Sequence, residues 1–265
     1  MRSTLRVATI NIWNRMGPWD ERLAALRAEL GRIAPDVVGV QEVLVIPEYQ
    51  FDQAALLADG FGYHVAFGRH PTAPTNRIGN AILSKHPIVE TAVLALPGTD
   101  EERLALFAAL ETPHGRLPFF TTHLNWRLDH GHIRQAQVIA LVEFIEKHAP
   151  HDGIPPIVTG DFNAEPDSDE IRFLRGLTTL GGGRSYYFAD CFGVSREREP
   201  GWTFSRANDF AAMLREPNRR IDYVFVRGPD ERFRGEPLSA EVCFATKHGG
   251  VFPSDHFGVV AEIGM

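Results

Sequence analysis

Cysteine is nearly absent from this chain of 265 residues, which contains only Cys191 and Cys243. The two are not arranged as C-x-x-C, and so sparse a pair argues against a disulfide framework and against a cysteine zinc site. Scarce cysteine without a disulfide pattern is typical of a reducing compartment, so we expect a cytoplasmic location.

Long apolar runs are also lacking. No segment approaches the run of about 20 apolar residues that a membrane-spanning helix needs, so we expect no membrane span. The first residues, MRSTLRVATINIW, pass directly into a strand-like pattern, and we expect no signal peptide. Because the chain has no internal repeat, low-complexity tract or long linker, we expect residues 1–265 to form a single domain.

The chain has fewer positively charged than negatively charged residues. Lys and Arg number 27 against 34 Asp and Glu, and the formal net charge is -7. This balance argues against tight, non-specific binding of a polyanion through a broad basic face. It does not exclude a nuclease, because a metal ion at the site can supply the positive charge that the surface lacks.

Apolar runs bounded by Gly and Pro, in contrast, recur along the whole chain and are typical of buried strands. These runs are LRVATINI, DVVGVQEV, GNAILS, LALFAAL, LPFFTTHL, IPPIVTGDF, RIDYVFV and FGVVAEI. Helical periodicity is clearest over 19–33 and 131–148, where apolar residues form a core-facing stripe. Strands follow one another without helices between residues 80 and 122. The pattern therefore predicts an α/β protein with mixed sheets that outer helices cover.

The least regular stretch covers residues 178–218. It contains three consecutive glycines at 181–183 and the mixed-charge run SREREP. Such composition favours a solvated surface loop, and a substrate-facing loop is the alternative.

Polar side chains repeatedly interrupt or end the apolar strands. They are Asn11, Glu42, His123, Asp161, Asn163, Asp222, Asp255 and His256. A carboxylate that is buried without a partner is strongly unfavourable or becomes protonated, so acids at such positions usually pair with a cation, a histidine or a metal. The pattern favours a metal-dependent site at the ends of the strands.

Each of these residues also has a purely structural interpretation. Asn11 could bond the backbone at its strand end, and Asp161 with Asn163 could form an Asx turn. Glu42 could begin a loop, and His123 could be a hydrogen-bonded core histidine.

The remaining acids have structural alternatives as well. Asp222 could form a salt bridge with Arg219 or Arg220, and Asp255 with His256 could cap a loop. The structural interpretation would require all these polar residues to occur at strand ends by coincidence. We therefore favour the functional one.

In combination these residues resemble the endonuclease/exonuclease/phosphatase superfamily, which includes deoxyribonuclease I, apurinic endonucleases, neutral sphingomyelinases, inositol polyphosphate 5-phosphatases and deadenylases. The blocks TINIW, VQEV, GNAILS, TTHL, GDFN, RIDYVFV and SDH occur in the family's order across nearly the whole chain. The combination of GDFN, IDY and SDH carries most of the specificity. The resemblance implies hydrolysis of phosphate esters and a four-layer α/β sandwich, with two central mixed β-sheets flanked by helices as in deoxyribonuclease I.

The resemblance also implies a metal site. Glu42 corresponds to the principal metal ligand, Asn11 is a ligand or lies next to one, and Asp255 contributes from the other side. Oxygen donors with little sulfur or imidazole suit Mg²⁺, for which Mn²⁺ can substitute. We therefore expect Mg²⁺ as the cofactor.

Catalytic roles follow from the same resemblance. Asp161 would orient or deprotonate the attacking water, and Asn163 would hold the phosphate or the water. Asp222 and His256 would form a pair in which a charged imidazole donates to phosphoryl oxygens. His123 would donate from the opposite side.

One departure from deoxyribonuclease I concerns the partner of the first histidine, which is a glutamate in that enzyme. The matching stretch here, NRIGNAIL, carries Asn80, so we expect His123 to rest on Asn80 or on the backbone. Asn125 and Trp126 follow this histidine and are candidate substrate contacts. Arg77 is a candidate phosphate clamp, and a surface salt bridge is its alternative.

The substrate stays open at this level, because enzymes acting on DNA, RNA, lipids and inositol phosphates share this fold and these residues. A phosphodiesterase or nuclease, acting on DNA or RNA, is the first expectation. A lipid or small-molecule phosphodiesterase is the second, and an inositol phosphatase, which needs a cluster of basic residues, is the third. A catalytically silent binding protein comes last, since every required position carries a competent side chain. No obligate protein partner is indicated.

Overall fold

Two β-sheets lie face to face in the computed structural model, which describes residues 3–72, 77–98, 101–196 and 198–265. The strands are β1 (Thr4–Asn11), β2 (Val37–Ile46), β3 (Phe51–Asp52), β4 (His64–Arg69), β5 (Ile78–Ser84), β6 (Ile88–Ala95), β7 (Leu104–Thr112), β8 (Gly115–His123), β9 (Ile157–Asp161), β10 (Ala189–Asp190), β11 (Asp222–Val226), β12 (Pro237–Cys243) and β13 (Gly258–Gly264). The helices are α1 (Trp19–Ile33), α2 (Gln53–Ala58), α3 (Gly131–His148), α4 (Asp169–Leu174), α5 (Cys191–Ser195) and α6 (Asp209–Ala212), and a 3₁₀ turn covers Pro47–Tyr49.

Both sheets are mixed. One has the order β12-β13-β1-β2-β5-β4, with β3 paired to β2, and the other has the order β10-β11-β9-β8-β7-β6. In the first sheet β1 and β2 are parallel, and in the second β8 and β9 are parallel, while the other pairs are antiparallel. The predicted arrangement of two mixed sheets flanked by helices is confirmed.

Side chains alternate along the strands and divide the apolar residues into three layers. The layer between the sheets includes Val7, Val37, Leu106, Phe119 and Val224. The layer under α1 includes Ala8, Val38, Val40, Leu26 and Leu30. The layer under α3 includes Phe107, Phe120, Phe225, Leu141 and Val142. Strands buried on both faces explain why the predicted runs are almost continuously apolar.

The strand register brings the polar residues to one end of the sandwich. Strand β1 ends at Asn11, which pairs with Gln41, the residue that precedes Glu42 within the longer strand β2. In the other sheet His123 of β8 and Asp222 of β11 both pair with Asp161 of β9. Five strands thus bring polar side chains to the same end of the sandwich.

The predicted helices over 19–33 and 131–148 are confirmed, and all eight predicted runs coincide with strands. The pattern missed β4, β6 and β12, which lie at the sheet edges and are only partly buried. An edge strand with one solvated face does not need a continuous apolar run. Among the described residues, no helix is long and apolar enough to cross a membrane.

Candidate active site

A cleft of about 580 Å³ is lined by residues at the ends of the central strands. Seven of the predicted site residues line it: Glu42, Asn80, His123, Asp161, Asn163, Asp255 and His256. Asn11 and Asp222 are buried directly behind the lining, where each is hydrogen-bonded to a lining residue. The structure therefore assembles nine of the eleven predicted residues in one site.

Asp161 is the central carboxylate of this cluster. Its Oδ2 accepts a hydrogen bond of 3.0 Å from Nδ2 of Asn11 and lies 3.3 Å from Nε2 of His123 and 3.7 Å from Nε2 of His256. Its Oδ1 accepts the backbone N–H of Asn163 at 2.9 Å. Asp161 lines the cleft but is only 1% exposed, so groups in the cleft are its nearest proton-exchange partners.

The GDFN motif thus forms the Asx turn that its sequence predicts, and the turn is part of the site. Asn163 has a φ of +49°, a left-handed conformation that asparagine tolerates better than most residues. Its Nδ2 donates to the carbonyl of Leu124 at 3.1 Å, which fixes the amide beside Asp161. The predicted turn therefore forms, and it places both side chains at the cleft.

His256 lies between two carboxylates. Its Nδ1–H donates to Oδ2 of Asp222 at 3.0 Å, and its Nε2 faces Asp161. Burial by itself lowers the pKa of His256, but the charges of Asp222 and Asp161 outweigh burial and raise that pKa well above the ordinary value. Conversely, burial and the charge of Asp222 raise the pKa of Asp161. This arrangement favours the protonated imidazole, in which Nε2–H can donate toward Asp161 and the cleft.

The alternative partners of Asp222 are engaged elsewhere. Arg219 pairs with Glu216, and Arg220 forms an ion pair of 2.8 Å with Asp190. The second oxygen of Asp222, Oδ1, is buried without a hydrogen-bond partner in the described part of the chain. The salt-bridge interpretation of Asp222 is therefore wrong, and its described partner is the histidine.

His123 has a partner that the sequence did not indicate. Nη1 of Arg103 lies 2.7 Å from Nδ1 of His123, and Nε of Arg103 donates to Glu101 at 2.7 Å. A guanidinium has only donors, so Nδ1 must accept and the ring proton lies on Nε2, facing Asp161. Burial, then the charge of Arg103, lowers the pKa of His123 well below its usual value. His123 is therefore a neutral donor.

The expected hydrogen bond of His123 to Asn80 or to the backbone is not found among the described residues. Nδ2 of Asn80 donates instead to the carbonyl of Leu104 at 3.1 Å, although Asn80 does line the cleft. Arg103 lies near the start of β7, which no local motif connects with the TTHL block. Only the pairing of β7 with β8 brings the guanidinium to the histidine.

Glu42 reaches the cleft through a break in its strand. The register between β2 and β5 shifts between Val40 and Val43, and Glu42 has a φ of +56°. Such a bulge re-aims a side chain, and the left-handed conformation costs about 1 kcal/mol or more in a non-glycine residue. Oε1 of Glu42 accepts from Nδ2 of Asn11 at 3.1 Å, and Oε2 accepts from Nδ2 of Asn14 at 3.0 Å.

Asn11 connects the two halves of the site. Its Nδ2 donates to both Glu42 and Asp161, while its Oδ1 accepts the backbone N–H of Trp13 at 2.9 Å. The predicted strand-end bond to the backbone therefore exists alongside the bonds to the two acids. In this arrangement Asn11 orients the carboxylates through its amide group.

Asp255 completes the acidic side of the cleft. Burial, together with the charge of Glu42, raises the pKa of Asp255 to about 6. Two carboxylates that repel each other in a buried position are a suitable site for a cation, and their oxygen atoms suit Mg²⁺ or Mn²⁺. The donor set of Glu42 and Asp255 thus fits the predicted metal.

A second grouping has metal-like spacing, since ligand atoms of Asp161, Asp222 and His256 lie within 4.8 Å of one another. An imidazole must be neutral to bind a metal, whereas the two acids keep His256 charged. Since Nδ1 of His256 is already hydrogen-bonded to Asp222, we interpret this group as an acid–base cluster, and Glu42 and Asp255 as metal ligands stay a prediction.

Arg22 is an important residue that sequence reasoning missed. It is fully buried, and its Nη1 donates to the carbonyls of Ile12 at 2.7 Å and Pro253 at 3.1 Å. Nη2 also bonds the carbonyl of Asn14 at 2.9 Å, and burial lowers the pKa of Arg22 to about 10. The guanidinium thereby joins the loop after β1 to the segment that carries Asp255. The sequence signal for this role was the position of Arg22 on the apolar, core-facing stripe of α1.

Two predicted substrate contacts do not line the cleft. Arg77 forms a two-pronged ion pair with Glu48, and its side chain is 39% exposed. Asn125 is buried, and its Oδ1 accepts the backbone N–H of Arg127 at 3.1 Å. Trp126, in contrast, lines the cleft with 53% of its surface exposed. Roles of Arg77 and Asn125 in substrate binding stay predictions.

The irregular stretch 178–218 has two different parts. The glycines at 181–183 are exposed, as expected of a solvated loop, and residue 197 within SREREP lies outside the described residues. Phe204, Leu214 and Glu216 from the later part line the cleft. The later part therefore faces the cleft, and its contact with a substrate stays a prediction.

Several known proteins are similar to this chain in sequence. The uncharacterized protein YbhP from Escherichia coli (strain K12) is 31% identical over 180 residues, which are 60% of this chain and 67% of YbhP. Nocturnin from Homo sapiens is 27% identical over 261 residues, which cover 92% of this chain and 58% of Nocturnin.

Among solved structures, D. rerio TDP2 in complex with a single-strand DNA product has a TM-score of 0.76 at 22% identity and covers 99% of this chain and 100% of the TDP2 chain. This likeness shows the fold. A profile of the Endonuclease/Exonuclease/phosphatase family matches residues 8–256, which confirms the resemblance seen in the motif blocks. The chain belongs to the endonuclease/exonuclease/phosphatase family.

Proposed function

We propose that this protein is a divalent-metal-dependent phosphodiesterase that positions a water molecule for in-line attack on phosphorus. Members of its family are phosphoesterases, and most of them depend on a metal. The observation that carries the proposal is the convergence on Asp161 of one charged histidine, one neutral histidine and an asparagine amide that also bonds Glu42. This arrangement provides an acid–base centre beside a carboxylate pair suited to a cation.

Glu42 and Asp255 would hold the metal, with Mg²⁺ as the first choice and Mn²⁺ as its substitute. Nδ2 of Asn11 keeps Oε1 of Glu42 oriented, and Oγ of Ser254 donates to Oδ1 of Asp255 at 3.2 Å. A bound Mg²⁺ would neutralise a non-bridging phosphate oxygen and stabilise the charge that develops on the leaving oxygen.

Asp161 is the proposed water-orienting residue. Its raised pKa makes it a better proton acceptor than an ordinary carboxylate. Two donors, Nδ2 of Asn11 and the backbone N–H of Asn163, restrict its orientation, so the remaining acceptor capacity of the carboxylate is directed at the attacking water. The amide of Asn163 is fixed beside it and would contact the phosphate or the water.

The two histidines would stabilise the phosphoryl oxygens from different sides. His256 donates Nδ1–H to Asp222, which leaves its Nε2–H and its positive charge for the phosphate. His123 stays neutral and directs Nε2–H toward the same region, because the guanidinium of Arg103 occupies its Nδ1. A fixed donor pair of this kind favours the transition state, in which negative charge on these oxygens increases.

DNA or RNA in single-stranded form is one candidate substrate. The complex of TDP2 with a single-strand DNA product supports this choice through the shared fold. The second candidate is a small organic phosphodiester, which the composition of the cleft mouth favours.

The test is hydrolysis of bis-p-nitrophenyl phosphate, single- and double-stranded DNA, RNA and sphingomyelin with Mg²⁺, with Mn²⁺ or with EDTA. We expect diester hydrolysis that EDTA abolishes and that Asp161→Asn reduces by about 10²-fold or more. The control is Asp59→Asn, since this carboxylate is 83% exposed and outside the cleft. A purified, folded protein without activity on any diester would contradict the proposal.

A further inference from the structure

The mouth of the cleft carries an apolar collar, which consists of Met16, Ile78, Trp126 and Leu214. Their exposed fractions are 52%, 38%, 53% and 59%, and all four line the cleft that contains Asp161. They come from four separate segments: the loop after β1, the start of β5, the loop after β8 and the loop after α6. Apolar side chains that converge from separate segments around a concave polar site mark a ligand surface.

The charges around the same mouth are unfavourable for a polyanion. Glu101, Glu102 and Glu216 line the cleft, whereas its lining arginines in the described residues are Arg103 and Arg219. Both arginines are already paired with rim carboxylates, Arg103 with Glu101 and Arg219 with Glu216. A strand with several phosphates would find no unpaired arginine in this lining to neutralise its flanking charges, and Glu102, which is in no ion pair among the described residues, would repel them.

The shape of the collar favours a flat group over a long chain. The cleft volume of about 580 Å³ suits one compact organic ligand, and the ring of Trp126 is held with the guanidinium of Arg127 5.6 Å from its centroid. Trp13, which also lines the cleft, packs against Phe210 with ring centroids 5.1 Å apart. Indole rings present a large flat surface that stacks well on planar groups.

We propose that the apolar collar binds a flat aromatic group, such as a nucleobase or a phenyl ring, on a substrate that carries a single phosphodiester and no neighbouring charges. This inference rests on the proposed function, because it takes the acid–base centre around Asp161 as the place where the ester is cleaved. It makes the substrate a nucleoside-sized diester rather than a long polynucleotide.

The first experiment measures binding without turnover. Methylphenylphosphinate and dimethylphosphinate are monoanions with two P–C bonds and no ester to cleave, and they differ only in the aromatic group. In calorimetric or NMR titrations of the Mg²⁺-loaded protein, we expect the phenyl compound to bind about tenfold more tightly, which is the size of one stacking interaction. Trp126→Ala should abolish this difference, and Trp126→Phe should retain most of it.

A matched control is Leu177→Ala. Leu177 is 56% exposed, like the collar residues, but does not line the cleft. This variant should keep the full preference for the phenyl compound. Equal binding of the two phosphinates by the unsubstituted protein, or an unchanged preference in Trp126→Ala, would overturn the proposal.

The second experiment tests the exclusion of flanking charges. The dinucleotide TpT and a single-stranded oligothymidylate have the same bases and leaving group, but only the oligomer has neighbouring phosphates. At low salt we expect kcat/KM per cleavable bond to be about tenfold higher for TpT, and the gap to narrow as salt screens the repulsion. A faster reaction on the oligomer that slows with added salt would indicate a basic track and overturn the proposal.

These experiments distinguish a failure of the proposed function from a failure of the collar proposal. If no diester is hydrolysed while phosphinate binding still depends on Trp126, the proposed hydrolysis is wrong and the ligand class of the collar is supported. If Mg²⁺-dependent hydrolysis occurs without any aromatic preference, the collar proposal is wrong and the proposed function stands.

Discussion

The guanidinium of Arg103 donates to Nδ1 of His123 across 2.7 Å. A cation in this position keeps the imidazole neutral, whereas a carboxylate would favour the charged form. The site therefore contains one neutral histidine, His123, and one charged histidine, His256, on opposite sides of Asp161. Two imidazoles with different protonation states can divide the tasks of donating a hydrogen bond and supplying positive charge.

Arg103→Met tests this division through the pH profile. Because burial and Arg103 lower the pKa of His123, the active neutral form persists below the ordinary histidine pKa in the unsubstituted protein. Loss of the cation raises the pKa of His123, so activity should begin to fall at a higher pH on the acid side. We expect about a tenfold lower kcat as well, measured with the metal saturating.

The control for this variant is Arg116→Met. Arg116 is 53% exposed and pairs with Glu90 away from the cleft, so the substitution removes the same charge without touching His123. An acid limb that is identical in Arg103→Met and in the unsubstituted protein would show that the guanidinium does not set the protonation state of the histidine. Imidazole ¹⁵N shifts should place the ring proton of His123 on Nε2.

His256→Ala should lower kcat by at least about 10²-fold and leave the fold intact, as expected for a group that stabilises transition-state charge. The buried carboxylate of Asp222 would lose its described partner, so some loss of stability is also expected. Kinetics on the purified variant and its far-UV circular dichroism separate the two effects. Near-normal turnover would contradict the assigned role of His256.

Glu42→Gln should weaken metal activation rather than turnover at saturation. The substitution keeps the shape of the side chain but removes the charge that, with Asp255, would hold the cation. We expect the half-saturating Mg²⁺ concentration to rise by about tenfold or more. Glu90→Gln, which changes a 47% exposed acid outside the cleft, is the matched control. An unchanged Mg²⁺ curve for Glu42→Gln would move the metal to other residues.

Much of this architecture can be predicted from the sequence because burial leaves a local signature. Strands buried on both faces must be apolar throughout, so β1, β2, β8 and β9 are evident as runs that end in polar residues. Strand ends in turn predict where side chains converge, and this logic found Asn11, Glu42, His123 and Asp161. The number of domains over 1–265 stays a prediction.

The rest depends on contacts between distant segments, which no local pattern encodes. Arg103 precedes His123 by a whole hairpin, and its role appears only when β7 pairs with β8. The shift in β2 that turns Glu42 into the cleft requires a positive φ that glutamate rarely adopts, so the sequence alone gives an ordinary strand. Arg77 shows the reverse case, because a plausible phosphate clamp pairs with Glu48.

Arg22→Met should destabilise the protein and weaken the metal site together. The fully buried guanidinium bonds the carbonyls of Ile12, Asn14 and Pro253, and methionine would leave these acceptors unsatisfied. We expect a loss of about 3 kcal/mol in the free energy of unfolding, measured in urea, since breaking a buried charged network has this magnitude. Mg²⁺ activation should also shift to higher concentrations, because Arg22 joins the loop that positions Asn14 to the segment before Asp255. Arg27→Met is the control, as Arg27 lies on the same helix and its ion pair, with the 83% exposed Asp59, is long at 4.0 Å. Equal stability of the two variants would mean that the loops are held by other contacts.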